Sequence, residues 1–173
     1  PARQLTKVRW LQQAWWRYVQ ARWGYSTSVH SWELINEGDP GNPLHYALAD
    51  DFAKYMRCSV FGVSVGAGDG ELCLFKHPNR HPVTTSFWHT YPVRAFWVND
   101  LYPNLNYIDL HAYVTTGWIT DQKLEFDAAK YHLAYSEATR RALDAALVGR
   151  RGLPIVRGEA GLDNINQVEW PGL

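Results

Sequence analysis

Cysteine, net charge and long apolar runs are what this chain has least of. The two cysteines, Cys58 and Cys73, are too few for a disulfide framework and are not spaced as a zinc knuckle, so they leave the redox compartment open. Acidic and basic side chains balance at 17 each, which removes any electrostatic case for nucleic acid or an anionic membrane surface. No apolar run approaches the ~18 residues of a membrane span. The charged, glutamine-rich start does not resemble a signal peptide, and Pro1 is not an initiator methionine.

Aromatic side chains are abundant instead, with nine tryptophans among 173 residues. Such rings either fill a core or offer flat apolar platforms to a ligand. With 46% hydrophobic and 20% charged residues, the chain reads as one globular unit, 1–173, long enough to bury a core.

Periodicity orders the elements. Leu5, Val8, Leu11, Trp15, Tyr18 and Val19 recur at three- and four-residue steps and predict a helix with one apolar face, ended by Gly24, with the tryptophans of this helix in the core. A strand follows at about 28–36. Pro43 opens a second helix whose buried face carries Leu44, Leu48, Phe52 and Tyr55. Strands at 82–88, 106–114 and 153–159 alternate with a short helical segment near 93–101 and a long helix over about 121–148, on which Leu124, Ala128, Tyr131, Tyr135, Ala138 and Ala142 mark the apolar face. The segment 58–77 breaks this rhythm and reads as an inserted hairpin around a glycine-rich turn.

Helices alternating with strands predict a parallel sheet with crossover helices, an α/β fold. A (β/α)8 barrel typically needs ~250 residues, so a barrel here would be an incomplete one. Alternation along 106–114 puts Tyr107, Asp109, His111 and Tyr113 on the inner face. The same rule sets Arg157 beside Glu159 in the last strand, where a buried arginine requires a carboxylate, Asp109 or failing that Glu33, unless the interior of a partial barrel is open to water and Arg157 is merely solvated. Glu37 and Glu159 each end a strand, and a parallel sheet gathers such ends at one rim. Paired carboxylates at a rim suit glycosidic bond cleavage, one donating a proton and the other attacking, with ~5–5.5 Å between them for retention of configuration.

The motifs carry a resemblance. Residues 21–37, ARWGYSTSVHSWELINE, resemble the fourth strand and preceding helix of retaining β-glycoside hydrolases of the clan A (β/α)8 type, the superfamily of the family 5 cellulases and mannanases. The resemblance implies that Asn36-Glu37 supplies the acid/base, with Asn36 binding substrate. It matches His111 and Tyr113 to the His-x-Tyr of the sixth strand and Gly158-Glu159 to the nucleophile-bearing end of the seventh. HPVTTSFW, 81–88, is similar to the fifth strand. The chain then spans roughly strands four to seven of an incomplete TIM barrel, strands one to three and eight being expected from the rest of the natural chain. An oligo- or polysaccharide substrate, no cofactor or metal, and a secreted or periplasmic location are what the family implies.

Blander readings stand beside these. A lone strand-end glutamate is more often merely solvated, and a lone inward histidine such as His111 is more often a satisfied core residue. Trp88 and Trp118 lie near strand ends and either stack on sugar rings or pack in the core. A non-catalytic carbohydrate-binding fragment would keep the groove without turnover. GVSVG, 62–66, matches the nucleophile elbow of serine hydrolases at Ser64, a motif that needs a strand before it and a helix after it. His77 and His81 are four apart, but Pro78 and Pro82 prevent the helix that would align them on a metal.

Overall fold

The computed structural model describes residues 2–63, 71–88, 92–114, 128–146 and 152–162. Helix α1 (Ala2–Trp23) is followed by the short strand β1 (Trp32–Glu33), helix α2 (Pro43–Arg57) and an antiparallel hairpin of β2 (Cys58–Val63) and β3 (Glu71–Lys76). Strand β4 (Val83–Thr84), a π-helical turn (Val93–Trp97), strand β5 (Ile108–Val114), helix α3 (Ala128–Ala146) and strand β6 (Ile155–Leu162) complete the order.

Local chemistry sets the ends of α2. The Asn42 side chain accepts the Leu44 N–H at 3.0 Å, and Pro43 occupies the first turn, where its missing donor costs nothing. Lys54 and Arg57 fall in the last turn, against the negative end of the helix dipole.

Strands β1 and β4 pair in parallel, as do β5 and β6. Asn106 joins the two pairs: its N–H donates to the Val83 carbonyl and its Oδ1 accepts the Val83 N–H, both at 2.9 Å. The Thr84 hydroxyl adds a bond to the Tyr107 carbonyl at 2.9 Å. The four parallel strands therefore stand side by side in the order β1, β4, β5, β6. Among the described residues they do not close into a barrel.

The core lies between these strands and the helices. Phe96 is fully buried at the centre of an aromatic cluster, with ring centroids 4.9 Å from Tyr46, 5.3 Å from Phe87, 4.8 Å from Trp97 and 5.4 Å from Tyr102. Met56, Val83, Ile108 and Leu143 pack around it. Asp50, also buried, is satisfied by the backbone N–H and side-chain amide of Asn104, both at 2.8 Å, and by Lys54 at 3.3 Å.

The hairpin expected at 58–77 is present, and its tip at 64–70 lies outside the described residues. Cys58 and Cys73, which the sequence left unassigned, form a disulfide across it with 5.7 Å between Cα atoms.

Three expectations about helix faces are corrected. On α1, Val8, Leu11, Trp15 and Tyr18 are exposed, as are Trp10 (65%) and Trp23 (45%). The line that packs is Trp16 and Gln20, with Val19, the one described residue of the expected face that reaches the core: Trp16 meets Phe52 edge-on and Tyr55 at a tilt, and the Gln20 amide donates to the Asn79 carbonyl at 2.7 Å. On α2, Leu44 is exposed, while His45, Tyr46, Ala49, Ala53 and Met56 join Phe52 and Tyr55 inside. On α3, Ala138 and Ala142 face out, and Thr139 and Leu143, one residue round, are buried. A helical period identifies an apolar stripe but not which stripe meets a neighbour, and a slightly rotated line with larger or hydrogen-bonding side chains wins the contact.

Phe96→Ala should lower the unfolding free energy by about 3–5 kcal/mol, because the cluster around the ring cannot collapse into the space it vacates. Urea unfolding should show a lower midpoint at an unchanged slope. A loss under about 1 kcal/mol would mean that the cluster does not hold the fold together.

Candidate active site

The rim at the C-terminal ends of the parallel strands gathers the titratable side chains. After β1 the chain turns at Asn36 and Glu37, and Glu37 takes a φ of 54°, the left-handed region that non-glycine residues rarely enter. Three contacts hold this turn. The Glu37 N–H donates to the Ser86 hydroxyl at 2.9 Å, the Gly38 N–H to the Ser86 carbonyl at 3.1 Å, and the Trp88 N–H to the Gly38 carbonyl at 3.3 Å. Gly38 has to be glycine, since a Cβ there would lie 2.0 Å from the ring of His45. That ring is buried and fixed by a 2.7 Å bond between its Nε2 and the Thr85 hydroxyl, and burial lowers its pKa below the ordinary histidine value.

His111, buried at 7% exposure, is the centre of the rim. Its Nδ1 lies 3.1 Å from Glu37 Oε1 and 3.6 Å from Glu159 Oε2, and its Nε2 faces Asp109 Oδ1 at 3.7 Å. An oxygen of Glu37 and one of Glu159 lie within 4.8 Å of each other. The Tyr113 hydroxyl donates to Glu159 Oε2 at 2.6 Å. Glu37, Glu159, His111 and Tyr113, named from the sequence, thus meet at one place. Asn36 and Trp88 are exposed on the turn and strand end beside Glu37, and Trp118 lies outside the described residues.

Arg157 does not face the rim. Its guanidinium bonds His132 Nδ1 at 3.0 Å, the His132 carbonyl at 2.9 Å and the Ser136 hydroxyl at 2.6 Å, and it sits over the Tyr135 ring, all on α3. The expected pairing with Asp109 or Glu33 is therefore wrong, yet Glu159 still points inward. A break in register explains both. Asp109 pairs with Val156 but His111 with Glu159, so two steps on β5 span three on β6. The extra residue lets Arg157 face the helix and returns Glu159 to the inner face.

Asp109 fills the space this break opens. Its Oδ1 accepts the Gly158 N–H at 2.9 Å, and a Cβ at 158 would lie 2.2 Å from that oxygen. Strand alternation could not reveal this, although the Gly-Glu dipeptide was its trace. Ser86 was also missed: fully buried, it accepts from the Glu37 N–H and hydrogen-bonds the Glu33 carboxyl.

Burial raises Asp109 above its ordinary pKa, His111 and the Gly158 N–H opposing and Glu159 adding to the rise. Glu33 is raised as well, first by burial, with the Ser86 bond opposing and Asp109 adding. Two groups, Glu33 with Asp109 and His111, and Glu37 with His111 and Glu159, have donor atoms within 4.8 Å of one another, a spacing a divalent cation also accepts. His111 belongs to both groups and already faces a carboxylate from each nitrogen.

No family model matches the chain, and neither a curated protein nor a solved structure matches it. Ser64 itself lies outside the described residues, and the element after 64–70 is the antiparallel strand β3, not the helix that a nucleophile elbow requires.

A carboxyl whose pKa rises on folding contributes stability that is full below its unfolded value and is lost as pH climbs through the raised one. Asp109→Asn keeps an oxygen for the Gly158 N–H and removes that titration. The variant should therefore gain stability relative to the parent as pH rises from about 4 to 7, read from urea unfolding at a series of pH values. A difference that stays constant across this range would show that Asp109 does not titrate with folding.

Proposed function

We propose that this chain carries the acid/base and the nucleophile of a retaining glycoside hydrolase that acts on β-linked glycans. The observation that supports it is the approach of Glu37 and Glu159, from separate strand ends, to within 4.8 Å across a shared imidazole. Retention needs carboxyls ~5–5.5 Å apart, whereas inversion needs ~6.5–9.5 Å to admit a water. The four parallel strands, in this reading, are strands four to seven of a (β/α)8 barrel whose remaining strands come from the natural chain.

The roles follow from which atoms are already engaged. Tyr113 and His111 both address Oε2 of Glu159, so Oε1 is the atom left to attack the anomeric carbon. Glu37 is addressed by His111 through Oε1, which leaves Oε2 to protonate the departing glycosidic oxygen and later to take a proton from water. Asn36, exposed beside Glu37, donates its amide to the sugar 2-hydroxyl. Trp88 offers a partly exposed ring at the same rim. The Cys58–Cys73 disulfide accords with an oxidising compartment such as the periplasm or the cell exterior.

In the complete protein, a cyclophellitol-type probe should label Glu159 covalently, as read by the mass of the peptide that contains it. Glu159→Gln should abolish the adduct; an adduct that persists removes Glu159 from the nucleophile's role. Sugar binding without labelling would favour the non-catalytic carbohydrate-binding reading. Asn36→Ala should lower kcat more than it raises KM, since its contact strengthens as the transition state forms. An unchanged kcat would leave Asn36 a structural residue of the turn.

A further inference from the structure

A second polar site lies at the opposite end of the strands, where α2 runs into the hairpin. A cavity of about 340 Å³ opens there, bordered by the hairpin disulfide and lined by Lys54, Arg57, Lys76, Arg80, Asn104 and Phe61. Four cations converge on it; of the nearby carboxylates, Asp50 pairs with Lys54, and Asp51, which reaches Lys54 less closely, also pairs with Arg9 outside the cavity, so the positive charge of the lining is not balanced. Lys54 is the cation both carboxylates serve, at 3.3 Å and 3.8 Å. Arg57 is anchored rather than neutralised: its Nε donates to the Ala53 carbonyl at 3.1 Å and its Nη2 to Asn104 Oδ1 at 2.8 Å, leaving Nη1 unbonded among the described residues. Lys76 and Arg80 are exposed and form no ion pair among the described residues.

Helix chemistry accounts for part of this cluster, since Lys54 and Arg57 also offset the negative end of α2. It does not account for Lys76 at the end of β3 or Arg80 in the loop beyond, which the helix does not require. Burial lowers the pKa of Arg57, with Asp50 opposing and the like charge of Arg80 adding a smaller effect in the same direction as burial. A rigid guanidinium fork, a second arginine and a lysine around one void form the donor set that tetrahedral oxyanions take.

We propose that this cavity binds a doubly charged oxyanion, a phosphate or sulfate group, either free or esterified on a small ligand. Its volume falls at the small end of ligand pockets, and Phe61 gives it an apolar wall against which a sugar ring can rest. The site is independent of the glycosidase reading, because none of its residues belongs to the rim.

Calorimetric titration with inorganic phosphate, sulfate and glucose 6-phosphate tests it. Saturable binding at millimolar concentration or below is expected, weakened by added sodium chloride, and weakened about tenfold or more by Lys76→Ala combined with Arg80→Ala. These two side chains hold nothing else among the described residues, so the double variant should keep its far-UV circular dichroism. Arg80→Glu alone is a second variant and should abolish binding. Tighter binding of glucose 6-phosphate than of inorganic phosphate assigns the site to an esterified ligand; equal or weaker binding assigns it to the free oxyanion. Absence of saturable heat with all three anions, or equal affinity in parent and double variant, overturns the proposal.

Discussion

Asp109 sits where a side chain on residue 158 would have to be, its Oδ1 2.2 Å from the position of that absent Cβ and 2.9 Å from the backbone nitrogen. The contact requires glycine at 158 and engages the backbone donor where the two strands slip by one residue. The slip in turn aims Glu159 at Tyr113 and His111 while Arg157 turns to α3. Without it, plain alternation would put Arg157 and Glu159 on one face, and either an arginine would enter a rim already crowded with charge or Glu159 would leave it.

How much of this was legible in the sequence depends on the range of the interaction involved. The site residues Glu37, His111, Tyr113 and Glu159 could be found because strand ends and alternation are local properties that the chain spells out directly. Arg157 was misplaced because a register break is a property of two strands together, and neither strand's pattern contains it. The exposed face of α1 failed for a related reason: Val8, Leu11, Trp15 and Tyr18 are periodic, but Trp16 and Gln20 are the residues that find Phe52, Tyr55 and Asn79. Periodicity reports that a helix has a face, and the neighbour decides which face is used.

On the other side of the rim the turn at Glu37 is supported from behind rather than by its own residues. A non-glycine residue held in the left-handed region costs of order 1–3 kcal/mol, and here Ser86, Thr85 and His45 supply the surroundings that hold it. Ser86 accepts from the Glu37 backbone and also bonds the Glu33 carboxyl, so a single buried hydroxyl ties the turn to the lower layer of acids. Glu33 and Asp109 form that layer beneath His111, Asp109 half-buried and Glu33 partly open to solvent, each with its pKa raised. The imidazole is thereby held between two pairs of acids, Glu33 with Asp109 below and Glu37 with Glu159 above.

The Cys58–Cys73 bond turns the hairpin into a covalent ring. A protease that cuts the backbone once anywhere inside that ring produces two fragments by sequence but one molecule by mass. The piece bearing Glu37 and the piece bearing Glu159 would stay tethered through sulfur and would part only after both reduction and loss of the packing between α2 and the strands.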